Sequence, residues 1–255
     1  MKKKTNDQEI NAPSALTKNN ETWALIPARG GSKSIRLKNL VELDGRPLID
    51  FVIRSGQSSK RISRIFCSTD HKKIKAYCNK TRIEICDRPV ELSGDNIPSI
   101  DVILHFLNVM IEKEKILPEF LVLLEPTSPF VLPEHVDRCV DMLKGDHTAD
   151  SSQTICRVEP NSHAYNQRKI EGNYVIFNFP KERALSFNKQ SKPAFYKHGN
   201  VRVMRTISVI RKKDIFGDRS LPHMIPPTYA FDVDGPEDLK LAQCILNCGL
   251  VKILE

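Results

Sequence analysis

Trp23-Ala24-Leu25-Ile26-Pro27-Ala28-Arg29-Gly30-Gly31-Ser32-Lys33-Ser34-Ile35-Arg36-Leu37-Lys38-Asn39 runs from a short apolar stretch straight into a glycine-rich basic loop. The stretch reads as a first β-strand, ended where the glycines let the backbone turn sharply. Beyond it, apolar runs alternate with helical patterns. Leu48–Gln57 is helical, Ile62–Ser68 strand-like, His71–Asn79 helical and Ile83–Ile85 strand-like. A helix is expected from Ser99, since Val102, Ile103, Phe106, Leu107 and Met110 fall on one face. Phe120–Glu125 is nearly continuous apolar sequence, as in a central parallel strand. Pro133 suits the first turn of a helix that buries Val136, Cys139, Val140 and Leu143. This order predicts a doubly wound α/β fold with a mainly parallel sheet.

The grammar changes after about residue 150. Thr154–Val158, Tyr174–Phe179, Val201–Met204 and Ile207–Ile210 are strand candidates, and no convincing helix follows until Asp238–Leu246. They suggest a β-rich arm at about 155–215 inserted before a return to the main sheet. Residues 1–22 are polar and without periodicity, which predicts a flexible tail ahead of a domain at 23–255.

Composition narrows the partners. With 255 residues, 40% of them apolar, the chain can fill a core. Its longest apolar run, Phe120 to Leu124, is far short of the roughly 20 residues of a membrane-spanning helix. Polar Asn6 to Glu9 interrupts any signal-peptide pattern begun by Met1 to Lys4. Seven cysteines without metal-ligand spacing read as reduced thiols in a cytoplasmic protein. The net charge of +8 admits nucleic acid, membrane or small anions. Lys181 to Arg219 holds eleven basic and three acidic residues, so this stretch alone carries that excess.

In the opening loop Arg29, Lys33 and Lys38 converge charge on a backbone rich in free N–H groups, as a polyphosphate requires. Neither a Walker A loop nor a dinucleotide turn is present, and a basic surface turn is the plain alternative. Asp232 and Asp234, two apart on an extended segment, point to one side, as paired oxygen ligands of Mg²⁺ do. The alternative is an acidic turn before a helix, because Gly235-Pro236 follows. Asp70 and Asp95 fit helix capping better than the site, and Arg211-Lys212-Lys213 fits a solvated turn. The histidines show no ligand or triad spacing.

Taken in order, these elements resemble the acylneuraminate cytidylyltransferases, the CMP-sialic acid synthetases. The resemblance rests on Ile26-Pro27-Ala28-Arg29-Gly30-Gly31-Ser32-Lys33 with Lys38-Asn39, Ser68-Thr69-Asp70, Arg88-Pro89-Val90-Glu91-Leu92-Ser93-Gly94-Asp95, Pro126-Thr127-Ser128-Pro129 and Asp232-Val233-Asp234 with Glu237-Asp238-Leu239. It covers Trp23 to Leu246 and implies a nucleotide-diphospho-sugar transferase-like fold with a dimerisation arm. The implied reaction joins a nine-carbon 2-keto-3-deoxy sugar acid to CMP from CTP and releases pyrophosphate. By position, Arg29, Gly30, Gly31, Ser32, Lys33 and Lys38 would hold phosphates, and Asn39, Arg88 and Ser99 the nucleoside. Asp232 and Asp234 would take Mg²⁺, with Arg29, Lys38 and both aspartates as the catalytic set. Glu125, Thr127, Ser128, Lys189, Gln190 and Arg202 would face the sugar.

The departures from the pattern cluster on that sugar side. Glu125 stands for the usual Gln, Lys189-Gln190 for Arg-Gln, and Arg202 for Tyr, while Ser34 replaces a third loop glycine. They predict either a changed sugar acid, of the legionaminic or pseudaminic kind, or a member that binds nucleotide or a partner without turnover. A nucleic-acid module is the third reading, opposed by the lack of an RNP-like or helix-turn-helix pattern.

Overall fold

The computed structural model describes residues 17–186 and 192–254. In chain order its elements are β1 (Thr17–Pro27), β2 (Glu42–Leu43), β3 (Arg46–Pro47), α1 (Leu48–Ser58), β4 (Arg64–Thr69), α2 (Lys72–Lys80) and β5 (Glu84–Asp87). There follow α3 (Ser99–Glu114), β6 (Ile116–Leu123), α4 (Pro133–Gly145), β7 (Ser151–Arg157), β8 (Arg168–Glu171), β9 (Tyr174–Phe177) and α5 (Pro180–Leu185). The chain closes with β10 (Tyr196–Arg205), α6 (Thr206–Lys212), β11 (Ser220–Met224) and α7 (Pro236–Asn247).

Seven strands form the central sheet in the order β11-β7-β10-β6-β1-β4-β5. β6, β1, β4 and β5 are mutually parallel, and β10 runs antiparallel between β6 and β7. The expected doubly wound, mainly parallel sheet is therefore present. Alternation along β1 explains the layers: Ala24 and Ile26 face the core shared with α1, α2 and α4, whereas Trp23 and Leu25 face α3 and α6. Trp23, Phe66 and Phe106 pack with ring centroids 4.9 to 6.5 Å apart on the α3 side. The apolar face expected for α3 is the buried one, Val102, Ile103, Phe106, Leu107 and Met110.

Three sequence expectations change. β1 begins at Thr17, ahead of Trp23, with a register irregularity between Asn19 and Thr22. Ile207–Ile210, expected as a strand, lies within α6: Val209 and Ile210 bury onto the α3 layer, and Lys213 at φ 49° ends the helix by donating its N–H to Val209 O. The arm is also smaller than 155–215. β7 and β10 belong to the central sheet, and the β8-β9 hairpin forms a separate two-stranded sheet, followed by α5. The basic segment is divided accordingly. Arg205 serves the main domain by donating to the carbonyls of Leu143, Asp146 and Ala149, and Lys212 bridges Asp150 and Asp218.

The seven cysteines are unpaired, five of them buried. Among the described residues, no helix is long and apolar enough to cross a membrane.

Candidate active site

The loops leaving the C-terminal ends of β1, β4, β5 and β6 meet on one edge of the sheet, the usual ligand edge of an open α/β fold. After β1 the chain stays in register for one residue, with Ala28 N donating to Ser68 O, and then turns. Gly30 N donates to Asp70 Oδ1 at 2.8 Å. A side chain at Gly30 would meet His71 within 2.7 Å, so the close approach of the two loops requires glycine there. Arg29 and Lys33 both pair with Asp95 at 2.7 Å, and those two cations hold the Asp95 carboxyl below its ordinary pKa. Asp70 and Asp95 thus anchor the loop rather than cap helices. The side-chain cap of α2 comes from His71, which accepts from Lys73 N.

Lys38 and Asn39 follow on a short 3₁₀ turn entered through Leu37 at φ 52°. Asn39 is buried and donates to Arg29 O at 2.9 Å, tying the turn back to the loop. Arg88, just past β5, reaches the same place from beneath, donating to Ser68 Oγ and Ser68 O. Burial lowers its guanidinium pKa, and no carboxylate pairs with it among the described residues. Ser99 is the first residue of α3, half-buried, and no described hydrogen bond ties it to the loop.

The two aspartates arrive from the other end of the chain. Val233 is fully buried beside Leu43, Phe51 and Phe130, and its N–H donates to Thr127 O at 2.7 Å. That anchor leaves Asp232 and Asp234 outward on one side, with a capping carboxylate, Asp238 Oδ2, accepting from Asp234 N and Gly235 N. Ser128 Oγ donates to Asp232 Oδ1. Lys38 Nζ lies 3.4 Å from Asp234 Oδ1, and Ser34 Oγ donates to Asp234 O at 2.5 Å. Desolvation raises the Asp232 carboxyl, assisted by the neighbouring Asp234 charge.

Glu125 and Arg202 complete the cleft. Arg202 Nη1 donates to Glu125 Oε2 at 3.1 Å, and Phe216 lies 5.3 Å from its guanidinium carbon. Burial raises the Glu125 carboxyl, against the lowering effect of Arg202. Glu125, Thr127, Ser128 and Arg202 are thereby gathered around the aspartates, while Lys189 and Gln190 lie outside the described residues. Two residues escaped the sequence reading. Ser34 looked like a lost glycine and Asp95 like a cap; their partners, Asp234 and Lys33, are too distant in sequence for any local pattern to show.

A family model described as cytidylyltransferase matches residues 23–248. The chain belongs to the cytidylyltransferase family. Among curated relatives, an N-acylneuraminate cytidylyltransferase of Escherichia coli O18:K1:H7 is 26% identical over 219 residues, covering 86% of this chain and 50% of the relative. One from Streptococcus agalactiae serotype V is 28% identical over 218 residues, 84% of this chain and 50% of the relative. One from Oncorhynchus mykiss is 36% identical over 120 residues, 47% of this chain and 27% of the relative. The chain thus spans about half the length of the bacterial relatives. A solved CMP:2-keto-3-deoxy-manno-octonic acid synthetase complexed with CTP superposes at TM-score 0.65 and 16% identity, covering 89% of this chain and 99% of the other. A 4-diphosphocytidyl-2C-methyl-D-erythritol synthase from Anaerococcus prevotii superposes at 0.60 and 15% identity, with 89% and 96% covered. These likenesses extend the fold assignment across the whole cytidylyltransferase domain.

Proposed function

We propose that this protein transfers CMP from CTP to a nonulosonic, sialic-acid-like 2-keto-3-deoxy sugar acid, releasing pyrophosphate. The observation that carries the reading is the junction of the basic loop with the aspartate pair, Lys38 and Ser34 against Asp234 across almost the full chain. A polyphosphate cradle and a metal-type carboxylate pair in contact are what displacement at an α-phosphate needs. The curated relatives named N-acylneuraminate cytidylyltransferases favour the sialic-acid-like acceptor.

In this reading Arg29, Lys33 and the N–H groups of Gly31 and Ser32 hold the β- and γ-phosphates, while Gly30, whose N–H is spent on Asp70, shapes the loop around them. Asn39 and Arg88, with Ser99, receive the cytidine. The sugar's anomeric hydroxyl forms a bond to the α-phosphorus as the bond from phosphorus to the bridging oxygen breaks, and Lys38 stabilises the negative charge developing there. Asp95 must release Arg29 and Lys33 to the incoming phosphates, so the loop exchanges one anion for another instead of leaving cations unpaired.

The donor set fits Mg²⁺: two exposed carboxylates two residues apart on the irregular segment ahead of α7, either side of buried Val233, suit a hard dication that leaves room for phosphate oxygens and water. Asp232 and Asp234 would hold it, and when bound it would neutralise phosphate charge. Glu125, Thr127, Ser128 and Arg202, with Lys189 and Gln190, face the sugar. Because Arg202 already engages Glu125, the carboxylate there is compensated and does not repel an acidic substrate. The exchange of the family's usual Gln for Glu125 and of Tyr for Arg202 supports the reading of a changed sugar acid, one with a different amino or deoxy pattern. Ile170 and Val175, directly paired on the β8-β9 hairpin, are 79% and 65% exposed, with Tyr174 exposed on the opposite face; apolar side chains left open on this hairpin suit a homodimer. Unpaired cysteines and the use of CTP favour a cytoplasmic location in this reading.

Incubation with CTP, Mg²⁺ and a panel of nonulosonic acids tests the proposal, read by pyrophosphate release and mass of the CMP-sugar. Release with at least one acid is expected. Calorimetric CTP binding with no release from any acid selects the binding-only alternative, and no CTP binding overturns both.

A further inference from the structure

Asn166, at the base of the hairpin, is a neutral residue on which three cations converge. Arg168 Nη1 donates to its main-chain oxygen at 3.0 Å, Arg183 Nη1 to its Oδ1 at 2.6 Å and Lys192 Nζ to the same Oδ1 at 2.7 Å. The amide is held in place from behind: Asn166 Nδ2 donates to Pro160 O at 2.7 Å, and Asn166 N donates to His163 O. Phe177 sits against both guanidinium groups, 4.5 Å from that of Arg168 and 4.2 Å from that of Arg183.

What the cluster lacks is a counter-charge. Among the described residues no carboxylate lies within ion-pair distance of Arg168, Arg183 or Lys192. Elsewhere in the molecule a carboxylate sits between converging cations, Asp95 between Arg29 and Lys33, and Lys212 is itself held by Asp150 and Asp218. Like charges gathered around one residue, two of them on the same amide oxygen, repel each other, and each spends one donor on Asn166. A planar or tetrahedral oxyanion brought to this point would relieve the repulsion and accept from the guanidinium and ammonium groups.

We infer that Arg168, Arg183 and Lys192, organised by Asn166, form an oxyanion-binding site on the hairpin, separate from the phosphate cradle, that takes a carboxylate or a phosphate-type group. The inference stands without the cytidylyltransferase reading, because none of its residues belongs to that cleft.

The test is a thermal-shift titration of the full chain at constant ionic strength, exchanging chloride for inorganic phosphate, for sulfate or for N-acetylneuraminate. It is run in a Lys33→Gln/Lys38→Ala background that removes the cradle's own anion response. Stabilisation by at least one probe is expected to persist there and to weaken at least tenfold in apparent affinity when Asn166→Asp is added. That substitution places a carboxylate of nearly the same shape at the hub and should itself raise the melting temperature. Arg183→Gln/Lys192→Gln should lose the same response without the rise, which separates anion capture from a folding defect. A phosphate or sulfate response identifies a phosphate-type ligand, and a response to N-acetylneuraminate alone a carboxylate ligand. No response to any probe, a response that vanishes with the cradle substitutions, or one unaffected by Asn166→Asp overturns the inference.

Discussion

Replacing Gly30 by Ala separates the geometry of the cradle from its chemistry. The new Cβ would lie 2.6 Å from His71 Cδ2 and 2.7 Å from His71 Cβ and Cγ. Carbon atoms rest about 3.5 to 4.0 Å apart, so the loop or the start of α2 must yield by roughly 1 Å. His71 Cβ is backbone-bound and its ring caps α2, so the loop gives way. Overpacking of this kind costs about 1–3 kcal/mol, which for a chain of this size is roughly 2–12 °C in melting temperature. The 2.8 Å bond from Gly30 N to Asp70 is strained in the same movement. A shift of about 1 Å in the groups that hold the phosphates should lower kcat/KM on the order of 100-fold, measured by pyrophosphate release. Gly31→Ala is the matched control. Nothing lies within 4 Å of its Cβ and the residue is exposed, so the melting temperature should stay within about 1 °C of wild type while CTP binding weakens, because the added methyl group stands where phosphate meets backbone. If Gly30→Ala keeps both wild-type melting and wild-type kcat/KM, the contact with His71 does not set the loop, and the cradle geometry described above is wrong.

Lys38→Ala and Asp234→Asn should each abolish pyrophosphate release while changing stability by less than about 1 kcal/mol, since their 3.4 Å pair has an exposed aspartate; thermal melts beside the assay check both halves. Asp95→Asn frees Arg29 and Lys33 from an anion that CTP must displace, and should tighten CTP binding about three- to tenfold by calorimetry. The pH response follows from Glu125 and Asp232, both raised above their ordinary values by desolvation. A carboxyl raised in the folded state favours folding below its unfolded pKa, and that contribution is lost as pH rises through the folded value. A dication binds the ionised form, so Mg²⁺ should raise the melting temperature near pH 8 and have little effect near pH 4, and the acid limb of kcat/KM should move downward as Mg²⁺ increases. A limb indifferent to Mg²⁺ would remove the metal assignment from Asp232.

The layers of the fold were legible because burial leaves a period. Trp23 and Leu25 against Ala24 and Ile26, and the single face of α3, are direct readings of strand and helix geometry. β11 was missed because Pro222 and His223 break the apolar pattern, which an edge strand paired only to β7 tolerates. The β-branched Ile207–Ile210 misled because a local preference for strand yields when two adjacent side chains can be buried by a single helical turn. The site shows the same limit. The Asp232–Val233–Asp234 alternation and the glycine loop are local and were found, whereas Ser34, Asp95 and Asn166 acquire meaning only from partners brought by topology.

Arg202 shows how topology sets such a meeting. Between His198 and Arg202, β10 carries two residues more than the facing segment of β7, and Thr154 Oγ1 absorbs the irregularity by accepting from Asn200 N and Val201 N. Gly199 makes the crossing possible, since any Cβ there would fall 2.5 Å from that oxygen. An insertion of two keeps the alternation of faces, so Val201 and Val203 remain buried in the core while Arg202 stays on the side of Glu125. Deleting one residue of this bulge would send Arg202 into the core face and a valine toward Glu125. The meeting of Arg202 with Glu125 therefore depends on a backbone device that no reading of residue types along β10 reveals.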